Sequence, residues 1–148
     1  KVLVNSRTKK KLPEGDWIRW TDRDELFAVS DVISIHCPLF PETAELINRE
    51  TIALMKKSAL IINTARGGCI NERELAEALD DGRIAGAAVD VISVEPMAKD
   101  NPLLHAKNVI ITPHIAWAPR EVRRRLLDIA GENIGAFLDG KPINVVGR

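Results

Sequence analysis

An α/β fold, with a parallel sheet covered by helices on both faces, is what the amino-acid sequence predicts. Three observations lead to it: short β-branched runs alternate with helix-period segments, most of the runs are apolar on both faces, and one intervening helix carries its own start and stop signals. "VLV" at 2–4 and "WIRW" at 17–20 read as the first two strands, followed by a helix over "DRDELFAVS" at 22–30. "DVISIH" at 31–36 is the next strand, "NRETIALMKK" at 48–57 the next helix and "ALIINT" at 59–64 the strand after it. The helix over 71–82, "NERELAEALDDG", opens with Asn71 and Glu74 at capping-box spacing and closes with Gly82 beyond its last turn. "AGAAVDV" at 85–91 and "NVIITP" at 108–113 complete the strands. A last helix starts near Pro119, whose fixed φ suits a first turn, and runs to about Leu138. Val122, Leu126, Ile129, Ala130, Ile134 and Phe137 give it one apolar stripe.

At 148 residues and 45% hydrophobic content the chain suits one globular domain with a real core. Its 21 basic and 21 acidic residues cancel, so no global field favours nucleic acid or an anionic membrane. Lys9-Lys10-Lys11 reads as a solvated loop and Arg123-Arg124-Arg125 as a solvated helix face. Cys37 and Cys69 show neither CxxC nor metal-type spacing, which points to reduced thiols in a cytoplasmic protein without a bound metal. No apolar run is long enough to span a bilayer, and no signal peptide is visible.

The position of Arg66 raises the functional question. In "IINTARGGC" it follows an apolar strand and precedes two glycines and a helix, at the carboxyl edge where α/β sheets bind ligands. Gly67 and Gly68 suit a close backbone turn beneath it. A dinucleotide-binding domain of this class opens with a strand, a glycine-rich turn and a helix holding the pyrophosphate, yet the nine glycines contain no GxGxxG. The segment "NSRTKK" after the first strand resembles the loop after the second strand of such a fold, where the adenine ribose is read. The chain therefore reads as a fragment.

"HCPLFPET", "MKKSALIINTARGG", "ELAEALDDGRIAGAAVDVISVEP", "NPLL" and "NVIITPHIAWAP" occur in the order and spacing of the D-2-hydroxyacid dehydrogenase family, and the resemblance runs from about Val2 to Val146. "SRTKK" and "HIAW" are most similar to its glyoxylate and hydroxypyruvate reductases. The resemblance implies a Rossmann-like doubly wound parallel sheet lacking the first βα unit and its glycine-rich loop. Residues 1–148 would be a partial dinucleotide-binding domain, with about 119–148 leading toward an absent substrate domain. It also implies that the missing strand runs between the strands at 2–4 and 31–36, leaving two apolar edges open without it. A rearranged strand, a second chain or the missing segment would have to cover them, and these residues alone would not turn over substrate. A homodimer is the family's common assembly.

By the same resemblance, Arg66 pairs with the substrate carboxylate, His114 protonates the keto oxygen as hydride arrives, and Glu95 supports His114. The chemistry of a small 2-keto acid asks for such a set: a guanidinium forks onto a carboxylate, and a developing alkoxide needs a proton donor. A neighbouring carboxylate favours the protonated imidazole. Asp90 matches the family's aspartate near the nicotinamide carboxamide, and Thr64 and Ala65 the segment beside the nicotinamide. Cys37 and Pro38 match the turn beside the adenosine ribose, and Thr43 the threonine after it. His36 is expected to pack with its strand and His105 to lie on a surface loop.

Cofactor choice is read at residues 5–9. NAD-selective members place a carboxylate at the strand end to hold the ribose 2′-hydroxyl, whereas this chain has Ser6, Arg7, Thr8 and Lys9. NADP(H) is therefore the expected cofactor, with NAD(H) the alternative. Other readings keep the fold: a reductase of another keto acid, a phosphoglycerate dehydrogenase, or a dinucleotide-sensing protein like the family's corepressor branch. Formate dehydrogenases fit less well, having glutamine where Glu95 stands.

Overall fold

The β-branched runs become strands because their side chains have a shared core to enter. In the computed structural model, which describes residues 1–146, every strand pairs in parallel. β1 (Val2–Val4) pairs with β2 (Ile18–Trp20), setting Val2 opposite Ile18. A separate four-stranded sheet runs in the order β3 (Val32–Ile35), β4 (Leu60–Asn63), β5 (Gly86–Val89), β6 (Val109–Ile111). The helices are α1 (Arg23–Val29), α2 (Arg49–Leu54), α3 (Glu72–Asp80) and α4 (Arg120–Leu138). Each observed element falls inside a segment read from the sequence, shortened by a residue or more at most ends.

The chain divides into one unit over Lys1–His114 and a second from Ile115 onward. The core of the first is built by Phe27 of α1, Ile52 of α2, and Leu75 and Leu79 of α3 with the inward residues Ile33, Ile35, Ile61 and Val89 of the sheet. Leu75, Leu79 and Ile61 are at most 1% exposed, and burial of each contributes roughly 1.5–3 kcal/mol.

The expectation that helices cover both faces of this sheet needs correction. Register puts Val32 beside Leu60, and both share a face with Ile110; they are 52%, 43% and 67% exposed. Continuous apolarity therefore marks two faces able to be buried, and in this unit α1 to α3 supply cover for one. β1 pairs only with β2 and β3 only with β4. The sheet is thus interrupted where the resemblance puts another strand, and no rearranged strand fills the gap among the described residues.

Helix ends differ in detail from their sequence signals. Asn71 caps α3 by accepting from Glu74 N at 3.1 Å, but the Glu74 carboxylate turns away to accept from Arg49 N at 2.6 Å, so the box is half-made. The complete capping box lies on α2, between Asn48 and Thr51. In the second unit, Pro119 is the residue before α4 and not its first turn. The predicted stripe of α4 is present in sequence, yet none of its residues is buried.

Candidate active site

Arg66 is held in place by the end of β4. Asn63 is fully buried; its side chain donates to Arg66 O and accepts from Ala65 N, both at 3.0 Å. The backbone then passes through exposed Thr64 and half-buried Ala65 to Arg66, whose Nη1 donates to Ala65 O at 2.7 Å. A 3-10 turn, Gly67–Cys69, follows. At Gly67 a Cβ would lie 1.9 Å from the carbonyl carbon of Ile92, so only glycine lets the Arg66 loop press against the segment after β5.

Glu95 and His114 come from two other strand ends. Glu95 follows β5, and its Oε2 lies 2.8 Å from His114 Nδ1 while Oε1 accepts from Ile92 N at 3.3 Å. The His114 imidazole, aided by the Ile92 N–H, holds the Glu95 carboxyl below its ordinary 4.5. His114 adopts a left-handed φ of 53°, pinned by its N–H donating to Asp90 O at 2.8 Å and Thr112 O at 3.0 Å. That backbone geometry aims the ring at Glu95. Nδ1 is the ring nitrogen that faces the carboxylate. Asp90 is 5% exposed and accepts from Thr112 Oγ1, while its N–H donates to Asn63 O at 2.9 Å. It is therefore a buried link between the ends of β4, β5 and β6.

Arg66, Glu95 and His114 line one cleft of ≈ 260 Å³, walled by Leu39, Gly67 and Ile92. The sequence placed these three groups 48 positions apart at most; the parallel sheet brings them to one edge. A guanidinium, an imidazole and its carboxylate in one cleft can bind a carboxylate and move a proton.

The remaining predicted residues lie at the ends of β1 and β3. Asn5 anchors the loop after β1 by donating to Thr21 O at 2.9 Å, and the exposed Ser6, Arg7 and Thr8 follow it. Residues 5–9 of this loop hold no carboxylate, only Asn5, two hydroxyls and two cations. The Arg7 guanidinium lies over the Phe40 ring, 5.3 Å from its centroid. Pro38 is exposed, and Thr43 is engaged within its own turn: its Oγ1 donates to Pro38 O at 2.7 Å and accepts from Phe40 N at 2.8 Å. Cys37 is half-buried and its thiol meets that of buried Cys69, a proximity their separation in sequence did not suggest. Burial, with the neighbouring Cys37, pushes the Cys69 thiol up to about 11. His36 does not pack inward; it is exposed, with Nε2 2.8 Å from Ser34 Oγ. His105 lies at the surface as expected.

Sequence reasoning missed Asn63 and Phe40. The signal for Asn63 was a lone amide ending an apolar strand, which needs local partners if buried. Phe40 had no such signal, because its partner comes from a loop on the other sheet.

The geometry can now be set beside known proteins. Residues 1–116 match the family model described as the D-isomer specific 2-hydroxyacid dehydrogenase, NAD binding domain. A hydroxypyruvate reductase of Blautia hydrogenotrophica is 51% identical over 148 residues, which is all of this chain and 46% of that protein. Among solved structures, an acyclic imino acid reductase in complex with NADPH and D-Arg is similar with a TM-score of 0.81 at 35% identity, over 98% of this chain and 45% of that one. An NAD complex of the D-isomer specific 2-hydroxyacid dehydrogenase of Lactobacillus delbrueckii ssp. bulgaricus has a TM-score of 0.76 at 29% identity, over 93% of this chain and 47% of that one. The chain thus spans under half the length of these relatives, and the neighbours include both NADPH and NAD complexes. The Rossmann-like parallel sheet, the strand-end cleft and the family match over residues 1–116 lead to one conclusion: this chain belongs to the D-isomer specific 2-hydroxyacid dehydrogenases, through their NAD-binding domain.

Proposed function

We propose that residues 1–148 are the cofactor-binding portion of a longer reductase that transfers hydride between NAD(P)H and a small 2-keto acid, glyoxylate or hydroxypyruvate. The convergence of Arg66 with the Glu95–His114 pair in one cleft carries this reading. Arg66 holds the substrate carboxylate by two parallel hydrogen bonds, which fixes the keto carbon in the cleft. A bound nicotinamide supplies the hydride. His114 gives its Nε2 proton to the carbonyl oxygen as negative charge develops there, and Glu95 stabilises the imidazolium before that transfer. Asp90, Thr64 and Ala65 border the nicotinamide end, while Ser6, Arg7, Thr8, Cys37, Pro38 and Thr43 border the adenosine end. The missing carboxylate at residues 5–9 favours NADP(H) over NAD(H).

The substrate domain and the glycine-rich unit belong to the rest of that protein, which is expected to work as a homodimer. Residues 1–148 alone are accordingly inactive. The test is to assay the full-length protein for NADPH and NADH oxidation with hydroxypyruvate and glyoxylate, using His114→Ala as the control. Turnover that disappears in the control supports the reading. Tight dinucleotide binding without turnover overturns it in favour of a sensing role.

A further inference from the structure

The contact between Arg7 and Phe40 joins two segments that share no backbone pairing. Arg7 lies in the loop after β1 of the two-stranded sheet; Phe40 lies in the loop after β3 of the four-stranded one. The backbone of Phe40 is held in a turn. Its N–H donates to Thr43 Oγ1 at 2.8 Å and its carbonyl accepts from the N–H groups of Thr43 at 3.0 Å and Ala44 at 2.9 Å. The residue is nevertheless 44% exposed, too open for the core. No carboxylate pairs with Arg7 among the described residues.

From this we infer that Phe40 is a positioning residue for cofactor choice: its ring is a pedestal that presents the Arg7 guanidinium to the ribose 2′-phosphate of NADP(H). The inference rests on the NADP(H) reading above. The Arg7 Cζ stands 5.3 Å from the ring centroid, and a guanidinium held there by the ring quadrupole still carries N–H donors that a phosphate can accept. Ser6 and Thr8, on either side of Arg7, add hydroxyl donors to the same anion. A long exposed arginine otherwise surrenders its rotamer freedom when it binds; contact with the Phe40 ring removes part of that cost beforehand.

The test measures equilibrium binding of adenosine 2′,5′-bisphosphate and adenosine 5′-monophosphate to the full-length protein, so its readout is independent of turnover. Phe40→Leu is expected to weaken the bisphosphate about two- to five-fold, the range of an exposed cation–π contact, with the monophosphate unaffected. Phe40→Trp is expected to restore it, since the larger π face holds a cation at least as well. Equal weakening of both nucleotides by Phe40→Leu, or failure of Phe40→Trp to rescue, would overturn the pedestal. Unchanged bisphosphate affinity in Phe40→Leu beside a loss in Arg7→Ala would also overturn it, while leaving the NADP(H) reading intact. A native protein that does not distinguish the two nucleotides would remove that reading, and the inference with it.

Discussion

The two ends of the candidate site are built by opposite strategies. At the reaction end, exposed groups stand on buried polar supports: Arg66 on Asn63, and His114 on the backbone of Asp90. At the adenosine end, Ser6, Arg7 and Thr8 sit on an exposed loop anchored by Asn5, and Arg7 leans on an exposed ring. Bond making tolerates little positional error, so its groups are tied to a core that cannot yield. Discrimination between two cofactors, the role proposed for that loop, needs only a difference in affinity, which a surface loop can supply without disturbing the fold.

The contrast predicts large effects at one end and small ones at the other. The sharpest test is His114→Ala in the full-length protein, expected to lower kcat about 10²–10⁴-fold in a steady-state assay with the protein still folded. Arg66→Lys keeps the charge and loses the fork; the keto-acid KM should rise about ten-fold or more, and unchanged kinetics would contradict the carboxylate assignment. Gly67→Ala tests the rigid support itself. Its Cβ meets backbone that cannot rotate away, so thermal unfolding should report destabilisation of about 1–3 kcal/mol.

Glu95 gives a smaller, pH-dependent signature. Its folded pKa lies below the ordinary 4.5, so its contribution is complete above that value and disappears as pH falls through the folded one. Thermal melts of the native protein and Glu95→Gln should therefore differ near neutrality and converge only once pH has fallen below that lowered folded value. Lys9→Ala, on the exposed loop at the other end, should shift stability by no more than about 0.5 kcal/mol. A larger shift would mean that the adenosine loop is braced as firmly as the cleft.

Much of the architecture was legible because it rests on local signals. β-branched runs marked six strands, and Asn71 before α3 and Gly82 after it marked the helix ends, with Gly82 at a φ of +64°. Arg66, Glu95 and His114 were legible through linked motifs, each at the end of a strand-like run. Other features depended on choices among competing partners. Glu74 has the spacing of a capping box, yet Arg49 N lies within its reach and takes its carboxylate. His36 continues an apolar strand in sequence but falls on the outward side of the pleat, beside Ser34.

By itself, the sequence determined the parallel α/β class, the order of its elements and the residue types at the strand ends. Those follow from periodicity and side-chain chemistry, which act over a few residues. Only the tertiary structure decided which sheet face is covered, that the sheet is interrupted between β1 and β3, that Asn63 braces Arg66, that Cys37 meets Cys69 and that Arg7 rests on Phe40. These are long-range contacts, set by which segments the packed core brings within van der Waals or hydrogen-bond distance.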